Sequence, residues 1–233
     1  WAKGRLAPTL VSLRPAGGRA YVEPFAGRWN VFWAAASTLK FAEWKLNDHS
    51  TAPFFDAIAK KGSHIRVPAR TRSEYARQKG LFQKGDLRAI LLEPYLTFSG
   101  GGYKKGGYGG NRSANRQGYQ KTLRRCSEIL SSTNARITGV DWKRLGLESL
   151  TSDDFVFLDP PYYGADVRAY SNEFDFCGMI EVLVKASFKW MLTEYAQEFY
   201  LKAFGNPCYT KPVQLACDGR GLRQRVECVW KNF

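Results

Sequence analysis

A chain of 233 residues that is 44% hydrophobic and 15% aromatic can bury a sizeable core, enough for one large domain or a core domain carrying an insert. It contains no apolar run able to cross a bilayer and no secretory signal, and its five cysteines (Cys126, Cys177, Cys208, Cys217, Cys228) lack C-x-x-C spacing, which excludes a zinc ribbon or disulfide framework and suits reduced thiols in a cytoplasmic protein. The formal net charge of +14 is concentrated in one place: Lys60 to Arg125 holds 16 Lys and Arg against 3 Asp and Glu, and the rest of the chain is nearly neutral, as expected of a polyanion-binding insert on an ordinary enzyme core.

The first residue, Trp1, is not a methionine, and further residues are expected to precede it. Ala20 to Glu23 reads as a short apolar strand ending in a turn, Pro24 to Arg28. An apolar helix is predicted from Asn30 to Phe41, and a second strand from Ala42 to Leu46, ending at Asn47-Asp48-His49. This is a βαβ unit, the repeating piece of a doubly wound parallel sheet. Amphipathic helices are predicted over Thr51 to Lys61 and Arg72 to Leu92. Residues 98–118, FSGGGYKKGGYGGNRSANRQG, carry no core-forming periodicity and read as a flexible loop running up to Tyr119, with a basic helix from Gln120 to Leu130 after it. The βα rhythm then returns, with strands at Ala135 to Val140 and Phe155 to Leu158, the latter apolar throughout as a buried central strand is. A helix near Phe176 to Ala186 and strands at Lys189 to Thr193, Tyr209 to Ala216 and Arg225 to Trp230 complete the chain. The expected organisation is an α/β core from residues 1–50 and 135–233, with 51–134 inserted as a mainly helical basic segment.

The sharpest chemical signal is Asp159-Pro160-Pro161-Tyr162, directly after the apolar strand. Ligands of open α/β sheets bind at the carboxyl ends of strands. An aromatic amine is a poor nucleophile because its lone pair is delocalised into the ring. A carboxylate (Asp159) and a backbone carbonyl (Pro160) can accept both amino hydrogens and favour a more tetrahedral nitrogen. Two prolines stiffen the backbone that aims the carbonyl, and Tyr162 offers a flat face for a base to stack on. The bland alternative is a strand followed by a proline turn.

This tetrapeptide is the motif of the amino-methyltransferases, and the chain around it resembles the Dam-type DNA adenine-N6 methyltransferases. In these the cofactor motifs come first, the target-recognition region lies in the middle and DPPY follows. The resemblance covers most of the core and is weakest over residues 50–130. It implies a Rossmann-like doubly wound methyltransferase sheet, S-adenosylmethionine as cofactor and no metal. Glu23-Pro24-Phe25-Ala26-Gly27 resembles the family's E-P-F-x-G-x-G cofactor loop. Where that pattern has its second glycine this chain has Trp29, a side chain bulky enough to crowd the cofactor or redirect the loop. Asp48 matches the acid that bonds the cofactor ribose, and Trp1, Gly4 and Arg5 match part of an N-terminal W-A-G-G-K that closes over the cofactor. Asp141-Trp142 is similar to an acidic-aromatic pair beside the cofactor adenine, and reads equally well as a helix cap followed by a core tryptophan. Arg225 to Phe233 resembles the family's closing strand, which implies a domain complete at that end.

The expected reaction is direct methyl transfer to N6 of an adenine flipped out of double-stranded DNA. The candidate DNA-contacting residues are Arg66, Arg70, Arg72, Lys104, Lys105, Arg112 and Arg116, with Tyr103 and Tyr108 placed to intrude between bases. The chain reads as a cytoplasmic monomer, bacterial or phage-encoded, with no membrane partner. The alternatives are methylation of cytosine N4 or of RNA adenine, and a non-catalytic nucleic-acid-binding module on a degenerate fold, such as one half of a heteromer. The recognition pattern around Phe98-Ser99-Gly100-Gly101 is too loose to imply a target sequence.

Overall fold

The computed structural model describes residues 2–97, 103, 107–110, 115–163, 174–217 and 221–233, with the side chains of 2–5, 214–217 and 221–223 excepted. Seven strands, β1 (Gly17–Glu23), β2 (Lys40–Asn47), β3 (Arg136–Thr138), β4 (Phe155–Leu158), β5 (Lys189–Tyr195), β6 (Tyr209–Cys217) and β7 (Gly221–Lys231), form one sheet in the order β3-β2-β1-β4-β5-β7-β6. β1 pairs parallel with β2 and β4, β4 parallel with β5, and β7 antiparallel with both β5 and β6. Against the doubly wound order 3-2-1-4-5-6, the sheet carries one extra antiparallel strand wedged between the fifth and sixth positions. The fold is α/β and Rossmann-like.

The chain divides into two compact units, one of Trp1–His49 with Val140–Phe233 and one of Ser50–Gly139. In the first, β4 is buried along its whole length, and its Val156 and Leu158 join Trp190, Leu192, Met179 and Trp230 in the core. The base of this core is pinned by Asp154, a fully buried carboxylate that accepts from the backbone N–H of Ala20 (3.1 Å) and Thr151 (2.8 Å) and from the Arg19 guanidinium. Gly17 opens β1 because a Cβ there would fall 2.0 Å from the Lys40 carbonyl oxygen, too close for any side chain.

In the second unit, α3 (Ala52–Lys61), α4 (Arg72–Phe82), α5 (Leu87–Leu96) and α6 (Arg116–Thr133) are the helices of the described residues; α5 packs on α3 and α4, and α6 on α3. Helix α6 turns Leu123, Ser127 and Leu130 inward at helical spacing and leaves Arg116, Lys121, Arg124 and Arg125 exposed. No helix among the described residues is long and apolar enough to cross a membrane.

Several expectations need correction. The single helix expected over 72–92 is two, broken where Gly85 takes a positive φ of 75° and the Asp86 side chain caps Ala89 N–H at 2.8 Å. The helix after β1, α2 (Asn30–Ala35), stops well short of Phe41. The Ser37 and Thr38 hydroxyls take up the Ala34 carbonyl at 3.0 and 3.2 Å, and pairing with β1 claims the chain from Lys40 onward. Helix α6 begins at Arg116, four residues before the expected start, because Asn115 caps Gly118 N–H at 2.7 Å. Helices α1 (Ala2–Ser12), α7 (Phe176–Val184) and α8 (Glu198–Phe204) complete the first unit; α1 and α8 were not expected.

Replacing Asp154 by Ala strips the Ala20 and Thr151 donors of their buried acceptor. The variant is expected to be about 2–4 kcal/mol less stable in urea denaturation; a loss below about 0.5 kcal/mol would show that water replaces the carboxylate.

Candidate active site

The turn after β1 is built by hydrogen bonds that reach across the sheet. Asn47, buried at the end of β2, donates its side-chain amide to the carbonyls of Pro24 (2.9 Å) and Val140 (3.0 Å), accepts Val140 N–H (3.0 Å) and offers its own carbonyl to Ala26 N–H (2.9 Å). One side chain therefore ties the turn, β2 and the segment leading to Asp141. Asp48 continues the clasp by accepting Gly27 N–H at 2.9 Å. Gly27 has a positive φ of 54° and open space where a Cβ would stand. Asp48, the acid that the resemblance gives to the cofactor ribose, thus holds the loop through this bond. Asn47, adjacent to Asp48, went unassigned because its partners lie up to 93 residues away in sequence.

Trp29 explains the departure from the glycine pattern. Its backbone is left-handed (φ 60°, ψ 21°), the conformation a glycine would supply at that place. Its side chain is fully buried against Phe32 and Trp33, with ring centroids 5.7 and 5.9 Å away. The residues lining the adjacent cleft include Glu23, Phe25, Gly27, Phe157 and Asp159, and not Trp29. The tryptophan satisfies the turn at some backbone strain and is held there by core packing.

That cleft, of about 230 Å³, lies at the carboxyl ends of β1 and β4. Glu23 is 1% exposed, and burial raises its carboxyl pKa to about 7; the Arg14 charge and a hydrogen bond from the Tyr21 hydroxyl pull the other way. Arg14 in turn donates to the Tyr21 oxygen and lies over the Phe157 ring, 4.1 Å from its centroid. Arg14, Tyr21 and Glu23 form a buried chain leading to the cleft wall.

Opposite Glu23, Asp159 accepts from the Thr193 hydroxyl at 2.9 Å. Pro160 is buried, and Pro161 and Tyr162 are half-buried. The Tyr162 hydroxyl donates to Glu227 Oε1 at 2.7 Å, and its ring meets Tyr195 edge-on, centroids 4.5 Å apart. Glu194, fully buried, accepts the backbone N–H of Tyr163 (3.0 Å) and of Tyr195 (2.7 Å). Thr193, Glu194, Tyr195 and Glu227 were not singled out from sequence; the acids inside the otherwise apolar strands Lys189 to Tyr195 and Arg225 to Trp230 were the available signal.

The remaining assignments fall unevenly. Asp141 caps the short turn Trp142–Arg144 through Lys143 N–H at 2.9 Å, and Trp142 packs into the core against Phe25 and Phe174, the cap-and-core alternative. Gly4 and Arg5 lie in the first turns of α1, and Trp1 lies outside the described residues, as do Lys104, Lys105 and Arg112. In the second unit, Tyr103 is 2% exposed and packs at tilted angles against Tyr75 and Phe82, ring centroids 5.6 and 5.2 Å away, so it is buried and not placed to intrude between bases. Arg70 is bound to the Tyr95 carbonyl and lies over that ring, and the Tyr108 hydroxyl donates to the Arg70 carbonyl at 2.9 Å. These three knit the unit together. Arg66, Arg72 and Arg116 are exposed. No group of three or more His, Cys, Asp or Glu that could hold a metal ion occurs among the described residues.

No protein-family profile and no curated protein matches this sequence. Solved structures do resemble it. A human methyltransferase 10 domain containing protein gives a TM-score of 0.35 at 11% identity over 98% of this chain and 80% of its own. Precorrin-6y C5,15-methyltransferase from Geobacter metallireducens GS-15 gives 0.37 at 10% identity, covering 97% and 86%. The METTL16 MTase domain gives 0.37 at 11%, covering 98% of this chain and 65% of that one. Likenesses this distant decide nothing about chemistry. The strand order, with β7 antiparallel between β5 and β6, and the cleft at the carboxyl ends of β1 and β4 define the class: an α/β, Rossmann-like fold with its cleft where open sheets bind ligands.

Two outcomes follow from the cleft. Trp29→Gly relieves backbone strain of about 1 kcal/mol but empties a site whose filling is worth about 3–5 kcal/mol, so a net loss of about 2–4 kcal/mol is expected in chemical denaturation; a gain in stability would mean that the tryptophan is not anchored in the core. Glu23 has a folded-state pKa of about 7 against 4.5 for an ordinary glutamate. Its stabilising contribution is therefore complete below pH 4.5 and is lost as pH rises through 7, on the order of 3 kcal/mol in all. Glu23→Gln should flatten the stability profile between pH 5 and 8, and parallel profiles for the two proteins would rule out that carboxyl as their source.

Proposed function

We propose that the chain is an S-adenosylmethionine-dependent methyltransferase acting on the exocyclic amino group of a base, adenine N6 in double-stranded DNA being the first substrate to try. The observation that carries this reading is that Asp159, which opens Asp-Pro-Pro-Tyr, lines the same cleft as the turn from Glu23 to Gly27. The groups suited to an amine and those suited to a methyl donor thus share one space.

The residues present fit the cofactor. Glu23 provides a carboxylate for the ammonium of its methionine part, Gly27 leaves its Cβ position open, and Phe25 supplies an apolar wall. When bound, S-adenosylmethionine supplies an electrophilic methyl group. An ammonium beside Glu23 favours the ionised carboxylate over the protonated form that burial favours. Asp159, oriented by Thr193, accepts a hydrogen from the target amine and so localises the nitrogen lone pair. Tyr162, anchored by Glu227 and braced by Tyr195, is the platform for the base. Reaching a paired adenine requires flipping it from the stack at a cost of about a few kcal/mol, which phosphate contacts to exposed arginines such as Arg66, Arg72 and Arg116 offset.

Incubation with S-adenosylmethionine and unmethylated duplex DNA, followed by digestion and mass spectrometry of nucleosides, should yield N6-methyladenine. Asp159→Ala should lower kcat roughly 100- to 1,000-fold while leaving cofactor affinity nearly unchanged. N4-methylcytosine, or product from RNA alone, would move the substrate within the same chemistry; no methylated base from either polymer would defeat the proposal.

A further inference from the structure

The β6–β7 hairpin is longer than the sheet that supports it. Its two arms pair from Tyr209↔Val229 to Cys217↔Gly221, whereas β5 covers β7 only from Lys231 to Glu227. One further bond, from Ala196 N–H to the Val226 carbonyl at 3.2 Å, closes that contact. From Arg225 to Gly221 the arm runs on for about 14 Å. It does so beyond Tyr195, the last residue of β5, which is the end of the sheet that carries Asp159 and Tyr162. The overhanging arm therefore stands beside the candidate active site.

Its chemistry is specific. On β7, Glu227 and Arg225 are two residues apart and so face the same way. Glu227 holds the Tyr162 hydroxyl, and the Arg225 guanidinium lies over the Tyr195 ring, 5.7 Å from its centroid, while Tyr195 in turn meets Tyr162 edge-on. Arg225, Tyr195 and Tyr162 thus make a continuous row from the arm to the DPPY tyrosine. Between Lys211 and Arg225 the sequence holds four basic residues and one acid, in a unit whose overall charge is otherwise close to balance. The buried Glu194 and Glu227 repel phosphate from the floor of the site, whereas a guanidinium just outside them attracts it.

We propose that this hairpin is a second nucleic-acid contact, within the catalytic unit and distinct from the basic insert, in which Arg225 binds a backbone phosphate flanking the base that stacks on Tyr162. Guanidinium binds phosphate through paired donors, and its plane stacks on an aromatic face, which together keep Arg225 oriented. The inference rests on the reading of the chain as a base methyltransferase.

The test is equilibrium binding of the chain to a fluorescent DNA duplex across a salt series, for wild type, Arg225→Gln and Arg225→Lys. Loss of one phosphate contact should reduce the slope of log K against log salt by about 1 for Arg225→Gln. The Kd should rise about tenfold in moderate salt, with S-adenosylmethionine affinity unchanged, and Arg225→Lys should keep the wild-type slope. Wild-type slope and Kd in Arg225→Gln would overturn the hairpin contact and leave the methyltransferase reading standing. A wild-type chain that binds S-adenosylmethionine but neither DNA nor RNA would overturn both.

Discussion

Carboxylates set into the ends of apolar strands are the constraint on which the rest of this structure depends. Glu23 ends β1, Asp159 follows β4, Glu194 is the penultimate residue of β5, and Glu227 on β7 pairs with Tyr195 at its end. An ionised carboxylate removed from water is costly unless donors replace its hydration. Each here is met by identifiable donors: Tyr21 for Glu23, Thr193 for Asp159, two backbone N–H groups for Glu194, and Tyr162 for Glu227. Those donors belong to the residues that shape the cleft, so satisfying the acids and fixing the site are one requirement. An acceptor-rich floor suits amino hydrogens and disfavours phosphate.

The same economy accounts for Trp29. A glycine would relieve the left-handed turn but provide nothing to hold the start of α2, whereas the tryptophan trades about 1 kcal/mol of strain for a large buried contact. With its ring outside the cleft, the sequence feature that suggested a collapsed cofactor site loses its force.

Much of the framework was legible in the sequence because it rests on local patterns. Four consecutive apolar residues at 155–158 marked a central strand, the turn at Glu23 to Gly27 followed the first strand, and Asp-Pro-Pro-Tyr stood at the end where ligands bind. What stayed hidden depends on long-range pairing. Asn47 looks like an ordinary strand-end polar residue until Pro24 and Val140 are brought to it, and Glu227 acquires meaning only when β7 is placed beside β5. Gly85-Asp86, a helix stop followed by a helix cap, is by contrast a local signal that divides residues 72–92 into two helices. Tyr103 and Arg70 show the limit of composition, since a basic, aromatic segment must also fold, and it uses some of those side chains to do so.

In the proposed function, the donor of the methyl group and the amine that receives it share the cleft between Glu23 and Asp159. A crystal structure with S-adenosylhomocysteine tests it most directly. The account predicts the methionine part of the ligand against Glu23 and Gly27, its sulfur facing Asp159, and the Trp29 ring still packed on Phe32. A ligand seated elsewhere, or a turn that opens and brings Trp29 into the cleft, would contradict it.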